Sequence, residues 1–163
     1  YDALKYAKQG MNAFEIKNRL EKEAYDASIY IAVDTLAYLK KGGRVTAAAA
    51  AIGTVLNLKP VLTIQGEKLD AYAKERGMKK ARHVMIKAMQ KDFEERFAEL
   101  DKQGRMRLCI AYSHVDDETL QSWIDEVNEA FPGRDLLISP LSLSIGCHIG
   151  PGALAIAACR MEP

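Results

Sequence analysis

The sequence predicts an α/β domain in which a mixed β-sheet is flanked by helices. Three observations carry this fold class. Helical and strand-like patterns alternate along the chain, as layered α/β domains require. Gly66-Glu67 stands between two strand-like runs as a hairpin turn, so the sheet contains an antiparallel pair and is mixed rather than wholly parallel. The chain has 163 residues, 48% of them hydrophobic, which suffices for one sizeable core and does not demand a second.

Taken in order, residues 1–9 and 13–27 read as helices. In the second, Phe14, Ile16, Leu20, Ala24 and Tyr25 recur at near-helical spacing behind Asn12 as a cap. Residues 28–33 form a short strand rich in β-branched side chains. A brief helix over 35–41 is capped by Asp34 and stopped by Gly42-Gly43. Thr46 caps the next helix, 47–56, whose alanines give it a small-residue face. A strand over 59–65 turns at Gly66-Glu67 into a returning strand over 69–74. There Leu69, Ala71 and Ala73 alternate with Asp70, Tyr72 and Lys74, which predicts one buried face. A long helix covers 79–100, a strand 107–113 and a helix 117–130, with Pro132-Gly133 as a break. Strands over 135–140 and 152–159 complete the set. The residues from Ser144 to Ala153 read as the bend that feeds the last of them.

Bulk properties narrow the function classes. A formal charge of +1 argues against a broad nucleic-acid footprint, which needs a clearly basic face. No apolar run approaches the roughly 18–20 residues that span a bilayer, and no secretory signal is visible. The three cysteines, Cys109, Cys147 and Cys159, show no CxxC spacing and read as reduced thiols of a cytoplasmic protein. Cys109 and Cys159 fall in apolar runs and are expected in the core. His83, His114, Cys147 and His148 do not reproduce a metal-ligand spacing. There is no Walker A loop, dinucleotide fingerprint or local Ser-His-Asp signature, and no cofactor is expected. The start at Tyr1, without methionine, suggests removal of a tag or excision from a longer polypeptide.

Two segments carry the candidate chemistry. In Cys147-His148-Ile149-Gly150-Pro151-Gly152, an imidazole precedes a Gly-Pro-Gly turn, where the backbone can bend tightly and approach a ligand closely. In Lys40-Lys41-Gly42-Gly43-Arg44, a glycine turn projects a planar cation suited to a carboxylate or phosphate. A surface arginine after a helix cap is the bland alternative for Arg44. For the small-residue helix after it, tight helix–sheet packing competes with a ligand-facing role. His83 reads as a surface residue and His114 as a residue of a strand-to-helix junction.

Together these segments resemble the DegV family of bacterial fatty-acid-binding proteins. The resemblance is carried by DTLAYLKKGGRV at residues 34–45, by AAIGTVLNLKPVL, by the Gly66 turn, by Arg76 in KERGMKKA and by His148 in CHIGPGALAI, and it runs with gaps from about Ile29 to Ala158. It implies a two-lobed protein holding a long acyl chain between its lobes. Residues 28–163 would then be the C-terminal lobe, residues 1–27 a helical linking segment, and the N-terminal lobe, with its carboxylate-binding serine, would lie outside this chain. The resemblance further implies that His148 contacts the ligand carboxylate and that Arg44 supports the polar network or a docking surface. Ala50, Ile52, Gly53, Leu56 and Ile149 become the acyl-pocket candidates. The implied role is that of a non-catalytic cytoplasmic carrier, which presents a long-chain fatty acid to a separate fatty acid kinase for acyl phosphate formation in phospholipid metabolism. A substrate domain related to dihydroxyacetone kinases, or a purely structural lobe, are the competing readings.

Overall fold

The computed structural model describes residues 1–46, 58–64 and 69–162. Helices α1 (Asp2–Lys8) and α2 (Ala13–Glu23) lead into strand β1 (Ala27–Ala32) and the short helix α3 (Ala37–Lys41). The hairpin strands β2 (Leu58–Ile64) and β3 (Leu69–Arg76) follow, then α4 (Met78–Glu94), α5 (Ala98–Lys102) and β4 (Met106–Tyr112). The chain continues through α6 (Asp117–Ala130), β5 (Leu136–Pro140), α7 (Leu143–Ile149) and β6 (Leu154–Arg160). The six strands form one sheet in the order β3-β2-β1-β6-β4-β5. Only β4 and β5 run parallel; every other neighbouring pair is antiparallel. The sheet is therefore mixed, as the sequence predicts.

Alternation along the strands divides the molecule into two unequal cores. One face carries Tyr30, Ala32, Val61, Leu108, Ile110, Leu154, Ile156 and Ala158, and packs against α4 and α6 through Met85, Met89, Phe93, Trp123 and Val127. Trp123 is completely buried, and its indole N–H donates to the Ala155 carbonyl at 3.3 Å. The Tyr30 hydroxyl donates to the buried Asp92 carboxylate at 2.8 Å. Burial, and then that bond, push the Tyr30 hydroxyl well above its ordinary pKa. The second core is smaller. Ile31, Val33, Leu36, Leu39, Val45, Leu62, Ile149, Ala153 and Ala155 gather where α3 and α7 cover one end of the opposite face. Beyond that end, Ile29 keeps 37% of its surface exposed.

Four expected elements and one expected cap need correction. The helix expected over 13–27 stops at Glu23, because β1 begins at Ala27 to pair with β6. Its apolar stripe is not a core face, since α2 buries no residue and Phe14 is 70% exposed. The Asn12 cap is real, with Glu15 completing a reciprocal capping box. The helix expected over 79–100 is two helices. It breaks where the Phe97 N–H bonds to the Asp92 carbonyl at 2.9 Å and Phe97 turns inward beneath Arg96. The single buried face expected for 69–74 is also wrong. A bulge opposite Val61 and Leu62 leaves Tyr72 out of register, so Ala73 packs with the larger core while Leu69 packs with the smaller. Finally, the bend expected from Ser144 to Ala153 is helical through Ile149. Gly146 does not break it, because its N–H bonds to the Ser142 carbonyl at 2.8 Å and its own carbonyl accepts from Gly150 at 2.9 Å. Asp34 does not cap α3 either; its carboxylate is ion-paired with Lys59, and Thr35 Oγ1 accepts from the Ala37 N–H instead.

Candidate functional site

The two sequence segments singled out above lie against each other in space. Gly42, at the end of α3, touches the imidazole of His148, at the end of α7. A Cβ built on Gly42 would fall 2.6 Å from His148 Nδ1. The turn after His148 meets the start of the other segment in the same way. A Cβ on Gly150 would sit 2.4 Å from the Tyr38 ring, and one on Gly152 would sit 3.2 Å from the Asp34 Cβ. Gly150 and Gly152 also have φ of 80° and 79°, values that favour glycine. The glycines are therefore spacing elements, and they press α7 against α3.

The base of this assembly is fixed by strand ends. Ser113 Oγ accepts from the Ala153 N–H at 2.8 Å, and the His114 carbonyl accepts from the Gly152 N–H at 2.9 Å. His114 thus contributes its backbone, while its side chain is exposed. Arg44 is anchored on the other side, where its carbonyl accepts from the Leu69 N–H at 3.1 Å. Ile145, His148 and Ile149 stand at the i, i+3, i+4 spacing of one helix face. That face of α7 looks onto the sheet.

Between α7, the Arg44 turn and the sheet lies a cleft of about 370 Å³, within the usual range for small-molecule sites of about 300–1,000 Å³. Arg44 and His148 line it together with Leu39, Leu69, Leu141, Ile145 and Ile149. Its floor is the open face of the sheet: Ile29 and Ile31 of β1, Ile64 of β2, Ala111 of β4, and Ala155 and Ala157 of β6. The strand register sets Ala111 opposite Ala155, and Ala155 opposite Ile31. Small residues on the two inner strands beside larger ones on β1 and β2 make a trough. The polar groups gather at the end where β6 begins, and the apolar floor runs along β6 toward Ala157. Neither the His148 imidazole nor the Arg44 guanidinium has a hydrogen-bond or ion-pair partner among the described residues. His148 is half-buried and Arg44 exposed. The arrangement offers nitrogen donors at one end and hydrocarbon contact along the rest.

His148, Arg44 and Ile149, all singled out from the sequence, line this one cleft. Ala50, Ile52, Gly53 and Leu56 lie outside the described residues. His83 is exposed on α4, away from this cleft. No group of three or more His, Cys, Asp or Glu side chains suited to a metal ion occurs among the described residues. The sequence reading missed the floor. Its signal was the alternation of Leu154 and Ile156 with Ala155 and Ala157, and of Leu108 and Ile110 with Cys109 and Ala111, large toward the helices and small toward the cleft.

A family model described as an uncharacterised protein of the DegV family matches residues 1–161. The chain belongs to the DegV family. It is 35% identical to a DegV domain-containing protein of Clostridium perfringens, covering 96% of this chain and 51% of that protein. It is 30% identical to the DegV protein of Bacillus subtilis, over 89% of this chain and 49% of the relative. This DegV chain therefore spans about half the length of the curated relatives it matches. Among solved structures, a fatty acid binding DegV family protein from Streptococcus agalactiae superposes with a TM-score of 0.81 at 26% identity, covering 99% of this chain and 54% of the other. A DegV family protein from Thermus thermophilus, described by its fatty acid binding, gives 0.76 at 32% identity, covering 98% and 54%. The α/β class with a mixed, helix-flanked sheet agrees with these folds. No helix among the described residues is long and apolar enough to cross a membrane.

Proposed function

We propose that this DegV chain binds a long-chain fatty acid in the cleft, with the carboxylate at His148 and Arg44 and the hydrocarbon along Ala155, Ala157 and Ile29. The observation that carries this reading is the convergence, on one end of an otherwise apolar trough, of two basic side chains that have no partner among the described residues. Charge-assisted hydrogen bonds of this kind contribute about 1.5–3 kcal/mol. Each methylene taken from water contributes about 0.8 kcal/mol before association costs. The tail therefore supplies most of the affinity, and the head group sets its direction. A small polar carbonyl compound would leave the floor unused, which disfavours the alternative related to dihydroxyacetone kinases.

In this reading residues 28–163 are the C-terminal lobe of a longer protein, residues 1–27 are the linking segment, and the missing half supplies the opposite wall. The role is that of a non-catalytic carrier in the bacterial cytoplasm: it shields a poorly soluble chain while its carboxyl end, beside exposed Arg44, stays open to a separate fatty acid kinase that forms the acyl phosphate for phospholipid metabolism. Extraction of the full-length protein and mass spectrometry should yield a long-chain acid. His148→Ala should weaken fatty-acid binding by about 10- to 150-fold, the equivalent of one charge-assisted bond. Unchanged affinity in a titration would remove His148 from the head-group site. Acyl phosphate formation on addition of the kinase tests the carrier role, and failure of that step with binding intact would leave a fatty-acid-binding protein of another use.

A further inference from the structure

The apolar trough does not run the full length of the open sheet face. Its floor is laid in rows across the inner strands: Ile31, Ala155 and Ala111 form one, and Ile29, Ala157 and Cys109 the next. The row after these is Ala27, Cys159 and Arg107, where a guanidinium replaces a small apolar side chain. Cys109 and Cys159, expected in the core, are half-buried on this face. A second cavity of about 350 Å³ opens at that row, and Arg107, Lys5, Asp2, Asp135, Tyr1 and Leu137 line it. The two cavities adjoin. Leu137 lines the second, Ala157 lines the cleft, and Cys109 is paired with both across the sheet.

We propose, resting on the fatty-acid reading of the cleft, that this second cavity receives the distal end of the bound chain and that Arg107 ends the trough. Arg107 then sets the longest unsubstituted chain the cleft takes, and favours a chain that carries a terminal hydroxyl. Its guanidinium lies over the Tyr1 ring, 5.8 Å from the centroid, and has no hydrogen-bond or ion-pair partner among the described residues. Asp2 and Asp135 make no ion pair among those residues either. The Lys5 ammonium is bonded to the Glu162 carbonyl. A methyl end pushed past Ala157 would take water from these charges without replacing its hydrogen bonds, which is unfavourable. A hydroxyl both donates and accepts, so it suits a cavity that offers a guanidinium and two carboxylates. A second carboxylate on the ligand would meet Asp2 and Asp135 as like charges and is disfavoured.

Distance makes this a property of long chains alone. From the Ala155 row to the Cys159 row the strand advances about 13 Å, at roughly 3.3 Å per residue. A chain too short to cross that span never meets Arg107. Up to that row each added methylene should raise affinity about fourfold, and beyond it the gain should stop.

The test is a titration of the full-length protein with unbranched saturated acids of graded length, each beside its ω-hydroxy counterpart. Affinity in the methyl-ended series should climb with length and then level off. Past that break, the ω-hydroxy acid should bind about tenfold tighter than the methyl-ended acid of the same length, as one hydrogen bond to a charged group implies. Arg107→Leu should move the break to longer chains and remove the hydroxyl preference, whereas Arg107→Lys, which keeps a cation, should retain both. A break unmoved by Arg107→Leu, or no hydroxyl preference beyond it, overturns the inference and leaves fatty-acid binding standing. Failure of every acid to bind a folded protein overturns the fatty-acid reading and this inference together.

Discussion

Gly150→Ala should lower the unfolding free energy by about 2–6 kcal/mol, the sum of two separable costs. The first is local. Gly150 has φ 80° and ψ 179°, a backbone region essentially closed to other residues, and forcing alanine into it costs about 1–3 kcal/mol. The second is steric. The new methyl would sit 2.4 Å from the Tyr38 ring, and overpacking of this kind costs about 1–3 kcal/mol more. Tyr38 is 44% exposed and has room to swing outward, so the steric part is the one that relaxes. Combining Gly150→Ala with Tyr38→Ala should therefore recover only the steric part of the loss. Urea denaturation of the four proteins in the cycle checks this. A denaturation midpoint unmoved by Gly150→Ala would mean that α3 and α7 are not packed as described.

Ala157→Phe should weaken binding of long-chain fatty acids by several hundredfold while leaving medium-chain acids nearly unaffected. Ala157 lies on the cleft floor away from the basic end, flanked in the sheet by Ile29 and Cys109. A phenyl ring there fills the trough downstream of Ala155. A chain that has lost four or five buried methylenes, at about 0.8 kcal/mol each, has lost about 3–4 kcal/mol. An acid too short to reach Ala157 loses nothing. Ala157 is only half-buried and stands outside both packed cores, so the fold should tolerate the ring. Calorimetric titration with acids of graded length reads the effect. Equal weakening at every length would place the hydrocarbon elsewhere.

What could be read before the structure follows from the range of the interactions. The order of strands and helices was legible because it depends on local periodicity: Ser28 to Ala32, or the apolar positions of α6, declare themselves within a few residues. The pairing of His148 with the Gly42 turn was suggested only through the family resemblance, since nothing local to either segment names the other. α7 was hidden because Gly146, Gly150 and Pro151 look like a run of breakers, although Leu141, Ile145, His148 and Ile149 keep helical spacing. The β3 bulge was hidden because a register shift is decided by the partner strand, here at Val61 and Leu62. The cleft floor was hidden for a related reason. Ala111, Ala155 and Ile31 become neighbours only once three strands, distant in sequence, are aligned side by side.

The contact between Gly42 and His148 has a thermodynamic consequence. The ring is confined by the α3 turn, so the rotational freedom of that side chain is surrendered when the chain folds and, in the proposed function, would not be lost again when a lipid docks. Ordering one such side chain at association costs about 0.5–1.5 kcal/mol, and in the proposed site that cost would be moved out of the binding equilibrium. Recognition and architecture are thereby tied: the residue opposite the imidazole must stay small for the grip to remain set in advance.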